Sequence, residues 1–206
     1  MIELKNIGKK FDEHEILKNF NYSFEAGKVY GLVGASGSGK TTLLNIIGKL
    51  EKANQGEVLV YGKKLTTLKE QLYFRDYVGY LFQNYGLIDN ATIEENLNLA
   101  FVGKKVAKLE RKALMRNTLE KVHLEPDLKR KIYSLSGGEA QRVAIAKVMI
   151  KNPPIILADE PTASLDEKNG AEVIQLILSL LDDKKVIIIA THTPYVWKKM
   201  DELVQL

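Results

Sequence analysis

Apolar and polar residues alternate along the first third of the chain, a period of two that is typical of strands with one buried face. The alternation starts with Ile2 and Leu4 and returns over 19–24. An apolar stretch at 28–33 then runs into a glycine-rich segment, which a helical pattern follows. Together these patterns predict strands over 19–24, 28–33, 57–61 and 77–82 and a helix over 40–50.

The middle of the chain changes to a helical period. Three helix starts have the spacing of a capping box, in which Ser or Thr precedes Glu by three residues and each side chain satisfies a free backbone N–H. These starts are Thr92, Ser136 and Ser164. Predicted helices run over 92–103, 105–122, 136–150 and 164–181.

Two short runs without polar residues, 155–158 and 186–190, lie between the later helices. Strands buried on both faces have this composition, and they occur mainly in parallel sheets covered by helices. Strands that alternate with helices therefore predict an α/β fold with a mostly parallel sheet. We expect one domain over 1–206, with a core formed by 1–85 and 151–206 and a helical subdomain over 86–150.

Composition excludes several classes of protein. Cysteine is absent, so disulfides, thiolate metal sites and a cysteine nucleophile are excluded. The longest apolar run, 186–190, is far shorter than the roughly 18 residues of a membrane span. The first residues lack the apolar region of a signal peptide, which predicts an intracellular protein.

Charge gives a weaker indication. The net charge is +4, with 25 lysines scattered along the chain and only five arginines. Proteins that bind nucleic acid usually concentrate basic residues on one element, so a solvated basic surface is the favoured interpretation and no nucleic-acid partner is expected.

Residues 34–41 match the phosphate-binding pattern G-x-x-x-x-G-K-[ST], placed between a predicted strand and a predicted helix as that pattern requires. Glycines let several backbone N–H groups point toward one anion at a helix N-terminus. Lys40 adds a positive charge for the β- and γ-phosphates, the Thr41 hydroxyl can bind Mg²⁺, and Thr42 can donate to a phosphate. The alternative, a chance Gly/Ser turn, is disfavoured by this context.

Two acidic residues end the buried strand at 155–158, where ligands of open α/β sheets bind. Asp159 is suited to hold Mg²⁺, which keeps much of its water shell in proteins. Glu160 is then placed to act as general base toward a water. The alternative is a pair of solvent-facing acids. With the phosphate loop, these residues predict binding of a nucleoside triphosphate and its hydrolysis.

The segment 135–139, Leu-Ser-Gly-Gly-Glu, lies about a hundred residues after the phosphate loop and just before the acidic strand. The chain resembles the nucleotide-binding domain of ATP-binding cassette (ABC) proteins along its whole length. The resemblance covers, in order, the A-loop aromatic Phe11, Walker A at 34–42, the Q-loop Gln83, the signature 135–139, Walker B at 155–160, the D-loop 164–166 and the switch residue His192.

The resemblance implies a P-loop NTPase (RecA-like) α/β core with a mostly parallel sheet, an antiparallel β subdomain and a helical subdomain. It implies that ATP and Mg²⁺ are the cofactors. The candidate catalytic residues are Lys40, Gln83, Glu160 and His192. The candidate nucleotide-binding residues are Phe11, Gly34, Ser36, Gly37, Ser38, Gly39, Lys40, Thr41, Thr42, Ser136, Gly137, Gly138 and Asp166, and the candidate Mg²⁺ ligands are Thr41, Gln83 and Asp159.

The resemblance also implies partners. Ser136 and the glycines after it would bind the γ-phosphate held by a second cassette, so two cassettes would face head to tail as a homodimer or as a heterodimer with another cassette. Asp166 would communicate between the two sites. A separate transmembrane permease is implied, with the cassette cytoplasmic and peripheral on the inner face of the cell membrane.

Within the family, 34–48, 134–146 and 157–166 resemble the macrolide-exporter, lipoprotein-release and bacteriocin-export branch. This similarity predicts extrusion of a peptide, an antibiotic or a lipophilic compound. The alternative is an ABC ATPase that drives a membrane protein for mechanical signalling rather than transport. Departures from the family pattern are Phe11 for Tyr, Thr41 for Ser, and Lys147 where the branch usually has Arg, a replacement to which the sequence assigns no role.

Aromatic residues crowd the segment beside Gln83. The favoured interpretation is that alternate members form the core of a strand, and the alternative is that outward-facing members, with Leu87, line a socket for a short helix of a membrane subunit. The six residues are Tyr73, Phe74, Tyr77, Tyr80, Phe82 and Tyr85.

Overall fold

The computed structural model describes all residues, 1–206. Contacts divide the chain into two compact units, and each is described by itself. The first contains Met1–Tyr80, Pro154–Glu160 and Leu181–Leu206, and the second contains Leu81–Pro153 and Pro161–Leu180. The division of the domain at 86–150 stays a prediction.

The strands form two sheets. They are β1 (Ile2–Phe11), β2 (His14–Phe24), β3 (Lys28–Val33), β4 (Gln55–Val60), β5 (Lys63–Lys64), β6 (Val78–Leu81), β7 (Ile155–Asp159), β8 (Val186–Ala190) and β9 (Glu202–Gln205). A four-stranded antiparallel sheet has the order β2-β1-β4-β5, and a five-stranded sheet has the order β6-β7-β8-β3-β9. In the second sheet β7, β8, β3 and β9 pair in parallel, so the predicted α/β class with a mostly parallel sheet is confirmed.

The helices are α1 (Lys40–Ile47), α2 (Glu70–Leu72), α3 (Ile93–Asn98), α4 (Lys108–Lys121), α5 (Gly137–Lys151), α6 (Glu167–Leu178) and α7 (Pro194–Trp197). Thr92 and Ser136 cap α3 and α5 with complete capping boxes, as predicted. No helix has the length and apolar character needed to cross a bilayer.

The central strand of the parallel sheet belongs to the core of the first unit. Every residue of β8 is buried, and Ile188 is paired with Tyr30 of β3 and Leu157 of β7. Helix α1 packs against β7 and β8, which places its N-terminus near the carboxyl ends of these strands. The core therefore fixes the spacing between the glycine-rich loop and the acidic strand end.

Replacing Ile188 with alanine is expected to destabilise the protein by about 2–5 kcal/mol, because a buried methyl-rich side chain is lost and a cavity remains. Ile188 is 0% exposed. Urea unfolding measures the change, and Leu109→Ala is the control because that side chain is 83% exposed. A loss at Ile188 no larger than at Leu109 would contradict this description of the core.

The aromatic segment before Gln83 is not a continuous strand. Residues Tyr73–Tyr77 form a π-helical turn, and the strand begins only at Val78. Tyr73 is fully buried and its hydroxyl donates to the carbonyl oxygen of Ile47 at 2.8 Å. The core interpretation therefore fits Tyr73, through a helical turn rather than strand alternation. The socket interpretation stays a prediction, since the other five aromatic residues are half-buried.

Candidate nucleotide site

The glycine-rich loop connects β3 to α1, as the sequence predicted. Gly39 precedes the helix with φ 99°, and a Cβ at this position would lie 2.8 Å from Cγ2 of Ile16. A residue with a side chain would be strained there both by its backbone and by the contact. The loop therefore needs glycine at this position in order to curl into the start of α1.

Lys40 is 8% exposed, and its ammonium group donates to the carbonyl oxygens of Gly34 and Ala35 at 2.9 and 2.8 Å. The charge thus lies within the loop. No acidic residue occupies the first turn of α1, so nothing offsets the positive end of the helix. Lys40 and the helix end together give the loop a positive character that suits the predicted phosphate ligand.

The Ser38 hydroxyl is buried without a hydrogen-bond partner. Leaving a buried polar group unpaired is costly unless a ligand satisfies it. A phosphate oxygen provides the missing acceptor, so this hydroxyl fits the predicted ligand. Of the other predicted phosphate-loop residues, Ser36 and Gly37 are exposed and Thr42 is half-buried.

The structure brings Thr41 and Asp159 together at the predicted metal position. The Thr41 hydroxyl donates to Oδ1 of Asp159 at 2.9 Å, across 118 residues of sequence. Burial raises the pKa of Asp159, and the neighbouring Glu160 also raises it, whereas the Thr41 hydroxyl and Lys40 act in the opposite direction. This pair supplies two hard oxygen donors, which is the donor type that Mg²⁺ prefers.

Glu160 and His192 also lie together. Nδ1 of His192 is 3.0 Å from Oε1 of Glu160, while Oε2 of Glu160 is buried without a partner. The backbone of Glu160 has φ 43°, a left-handed conformation that is uncommon for a residue with a side chain. Its N–H donates to the carbonyl oxygen of Ala190 at 2.9 Å, which holds this conformation against β8. One carboxylate oxygen is thus oriented, and the other remains available for a water.

Phe11 lies at the end of β1, before a two-residue turn to β2, and is 46% exposed. The buried ammonium group of Lys9 lies 4.6 Å from the centre of its ring. That cation is itself fixed by Oε1 of Glu51 at 2.7 Å and by the Lys52 carbonyl oxygen at 2.9 Å. The ring is therefore supported by a cation–π contact that no sequence pattern predicted.

The predicted signature residues start α5 in the second unit. Oγ of Ser136 accepts from the N–H of Glu139 at 3.3 Å, and the Glu139 carboxylate accepts from the N–H of Ser136 at 2.8 Å. Ser136, Gly137 and Gly138 line a cleft of about 700 Å³ within this unit, together with Asp166. The structure thus places the signature and Asp166 on one cleft.

Arg130 supports this cap, a role that was not predicted from the sequence. Its guanidinium donates to Oε1 of Glu139 at 2.7 Å and to Oε2 at 3.3 Å. Arg130 holds the pKa of Glu139 below its usual range, and the N–H of Ser136 contributes in the same direction. The available signal was weak: Arg130 is one of only five arginines and lies just before the signature.

The predicted capping box at Ser164 is wrong. Asp166 is the N-cap of α6, because its carboxylate accepts from the N–H of Asn169 at 3.0 Å. Oγ of Ser164 instead lies 2.9 Å from the Tyr85 hydroxyl. Aspartate is as good a cap as serine, so both positions satisfied the pattern and only tertiary contacts distinguish them.

The predicted site residue Gln83 is exposed and lies on the turn that follows β6.

Comparison with known proteins identifies the family. The model of the ABC transporter family matches residues 17–163. The macrolide export ATP-binding/permease protein MacB of Shigella flexneri is 34% identical over 213 aligned residues, which cover 100% of this chain and 33% of that protein. The chain thus spans one third of the length of this relative. The uncharacterised ABC transporter ATP-binding protein YvrO of Bacillus subtilis is 38% identical, with 99% of this chain and 92% of that protein covered.

Solved structures agree with this result. A dimeric post-hydrolysis structure of the ATP-binding cassette MJ0796, bound to ADP and Pi, is 38% identical to this chain with a TM-score of 0.90, and the match covers 100% of this chain and 94% of that one. A second dimeric structure of the same cassette matches equally well. The predicted P-loop NTPase fold is confirmed by these likenesses. The chain therefore belongs to the ABC transporter family, as an ATP-binding cassette of the ATPase type.

Proposed function

We propose that this chain is the ATP-hydrolysing subunit of a membrane transporter and that it works as a pair of cassettes with two ATP molecules between them. One observation carries the proposal: a single chain contains one phosphate loop and one signature cap, in different compact units. The dimeric structures of the related cassette MJ0796 support the pairing. Two identical copies would form an isologous dimer with two equivalent sites, while a second, different cassette would form a heterodimer.

Binding of the triphosphate is assigned to the first unit. Lys40, the amides of 34–39 and the unpaired hydroxyl of Ser38 would hold the phosphates. Phe11 would stack on the adenine through its exposed ring face, with Lys9 behind it. These contacts need only one copy of the chain, so each monomer should bind nucleotide.

Mg²⁺ fits the oxygen donors at the end of β7. We assign its protein contacts to the Thr41 hydroxyl and to Asp159, with Gln83 as a further ligand. The chain has no group of three or more His, Cys, Asp or Glu side chains arranged to hold a metal, and Mg²⁺ in NTPases is typically bound through one or two carboxylates plus substrate phosphates. When bound, the ion would neutralise charge on the phosphate oxygens.

Hydrolysis is assigned to Glu160. His192 binds one oxygen of its carboxylate, and the second oxygen is buried and unpaired, so it can accept a proton from a water placed beside it. His192, with 70% of its side chain exposed, is free to contact the γ-phosphate as well. Gln83 would help to orient the same water.

The signature cap is assigned to the ATP of the partner cassette. The backbone amides at the start of α5, a helix of 15 residues, and the Ser136 hydroxyl form an anion site on the cleft that Asp166 also lines. Association of the two cassettes would complete each ATP site, and hydrolysis of ATP would let the two cassettes separate. Asp166 would transmit the state of one site to the other.

We further propose that the membrane partner is a separate permease, that the cassette lies peripherally on the cytoplasmic face of the membrane, and that the transported compound moves outward. The similarity to MacB, which is a macrolide export protein by name, supports export of a peptide, an antibiotic or a lipophilic compound. A second candidate function is mechanical signalling through a membrane protein. To distinguish transport from signalling, the intact complex is copurified, its membrane subunit is identified, and the complex is reconstituted in vesicles. Only a transporter moves a compound across these vesicles when ATP is supplied.

Replacing Ser136 with arginine tests the signature assignment. The arginine removes the Ser136 hydroxyl and fills the space in which the partner's phosphate would lie. Nucleotide binding by the monomer should be unchanged, but ATP turnover should fall by about 100-fold or more, because one anion-stabilising donor contributes about 10²–10³ in kcat. Steady-state phosphate release and binding of a fluorescent ATP analogue measure the two effects.

The matched control is Asn117→Arg, which adds the same side chain to an exposed position of α4 and should leave both quantities unchanged. Wild-type turnover in the Ser136→Arg variant would remove the signature cap from the active site.

A further inference from the structure

The turn that carries Gln83 has a fixed shape. The N–H of Tyr85 donates to the carbonyl oxygen of Phe82 at 2.9 Å, which closes the turn. Tyr85 itself has φ 67°, a left-handed conformation that is uncommon for a residue with a side chain. Such strain persists only where the surrounding structure imposes it. Contacts made by the Tyr85 side chain provide that constraint.

The Tyr85 hydroxyl contacts two functional segments at once. Its oxygen lies 2.9 Å from Oγ of Ser164, two residues before Asp166. A Cβ added to Gly137 would lie only 2.7 Å from the same oxygen. The phenol thus occupies the space beside the first residue of α5, and a side chain at 137 would have to displace it. The loop of Gln83, the signature cap and the segment before Asp166 meet at this one atom.

A second contact holds the same turn to α5. The ammonium group of Lys147 donates to the carbonyl oxygen of Gly86 at 2.8 Å. Lys147 lies ten residues beyond Gly137 on this helix, so the turn is bonded to α5 at Lys147 and lies beside the same helix at Gly137. Lys147, to which the sequence assigned no role, therefore fixes one side of the turn, and Tyr85 fixes the other.

We propose that Tyr85 is a positioning residue that sets the geometry between the Gln83 turn, the signature cap and Asp166. The proposal rests on the proposed function, in which the cap and Asp166 act on the ATP of the partner cassette. A displacement of the Gln83 turn moves the phenol, and the phenol bears directly on Gly137 and Ser164. The phosphate loop belongs to the other compact unit, so nucleotide binding by the monomer does not depend on this link.

Tyr85→Phe tests the link, because it removes only the hydroxyl oxygen. We expect kcat for ATP to fall about 3–10-fold, the range that corresponds to one hydrogen bond, while KM and nucleotide binding by the monomer change less than about twofold. The temperature of unfolding should stay within about 4 °C of wild type, the shift expected when a domain of this size loses one hydrogen bond. A merely structural role would lower the unfolding temperature without lowering kcat selectively at an unchanged KM.

Tyr133→Phe is the matched control, since this tyrosine is in the same unit and is 70% exposed. Ser164→Ala and the double variant complete a mutant cycle. If the hydrogen bond is the link, adding Ser164→Ala to Tyr85→Phe lowers kcat no further. Effects that multiply in the double variant would overturn the proposal, as would a kcat for Tyr85→Phe equal to that of Tyr133→Phe.

A failure of the proposed function can be distinguished from a failure of the Tyr85 proposal. A wild-type protein whose turnover is independent of protein concentration, and whose Glu160→Gln variant stays monomeric with ATP, would remove the dimer and the link together. A dimeric Glu160→Gln protein combined with an unchanged Tyr85→Phe kcat would overturn only the link.

Discussion

Replacing Lys40 with alanine is expected to reduce ATP turnover to background, by about 100–1,000-fold, the range found when one charge-stabilising group is removed from an active site. ATP binding by the monomer should weaken about 10–100-fold, because hydrogen bonds to charged groups contribute about 1.5–3 kcal/mol. The reason lies in the loop itself: the ammonium group is 8% exposed and its present partners are the carbonyl oxygens of Gly34 and Ala35.

Isothermal titration with ATP and a steady-state phosphate assay measure the two losses. Lys18→Ala removes the same charge from a side chain that is 76% exposed and should leave both values unchanged. Full ATPase activity in Lys40→Ala would refute the assignment of the phosphate loop.

Glu160→Gln should bind ATP with near wild-type affinity and hydrolyse it about 10²–10⁴-fold more slowly, since general-base catalysis contributes that factor. Glutamine keeps the size of the side chain and can still bond His192, but it cannot accept the proton of a water. The buried, unpaired Oε2 is the atom whose chemistry changes. Single-turnover hydrolysis measures the effect without interference from product release.

Glu13→Gln is the control for the lost charge, because Glu13 is exposed in the turn between β1 and β2. A Glu160→Gln variant that hydrolyses ATP at the wild-type rate would assign the base to another group, and His192 would be the first to examine, given its contact at 3.0 Å.

The sequence predicted best those features that depend on neighbouring residues. The capping boxes at Thr92 and Ser136 involve residues three apart, and both formed as predicted. The phosphate loop and the acidic strand end are likewise local patterns, and a parallel sheet brings the ends of β3 and β7 to one edge. The contact of Thr41 with Asp159 follows from that topology.

The sequence failed where two local solutions were equally good or where a contact joins distant segments. Ser164 and Asp166 are both suitable N-cap residues. In the folded chain Ser164 bonds Tyr85, 79 residues away, and Asp166 is the N-cap of α6. The aromatic residues at 73–77 suit a strand by composition, yet the buried bond from Tyr73 to Ile47 fits a π-helical turn. Arg130 is a surface cation by any pattern, and only the folded chain shows its bidentate contact with Glu139.

The central claim is that ATP bound by one cassette is also held by the signature of a second. The most direct test is the mass of Glu160→Gln in saturating ATP and Mg²⁺, measured by size-exclusion chromatography with light scattering. The claim predicts twice the mass of one chain with ATP, the mass of one chain with ADP, and the mass of one chain again when Ser136→Arg is added. A monomer under ATP, or a dimer that Ser136→Arg leaves intact, would contradict it.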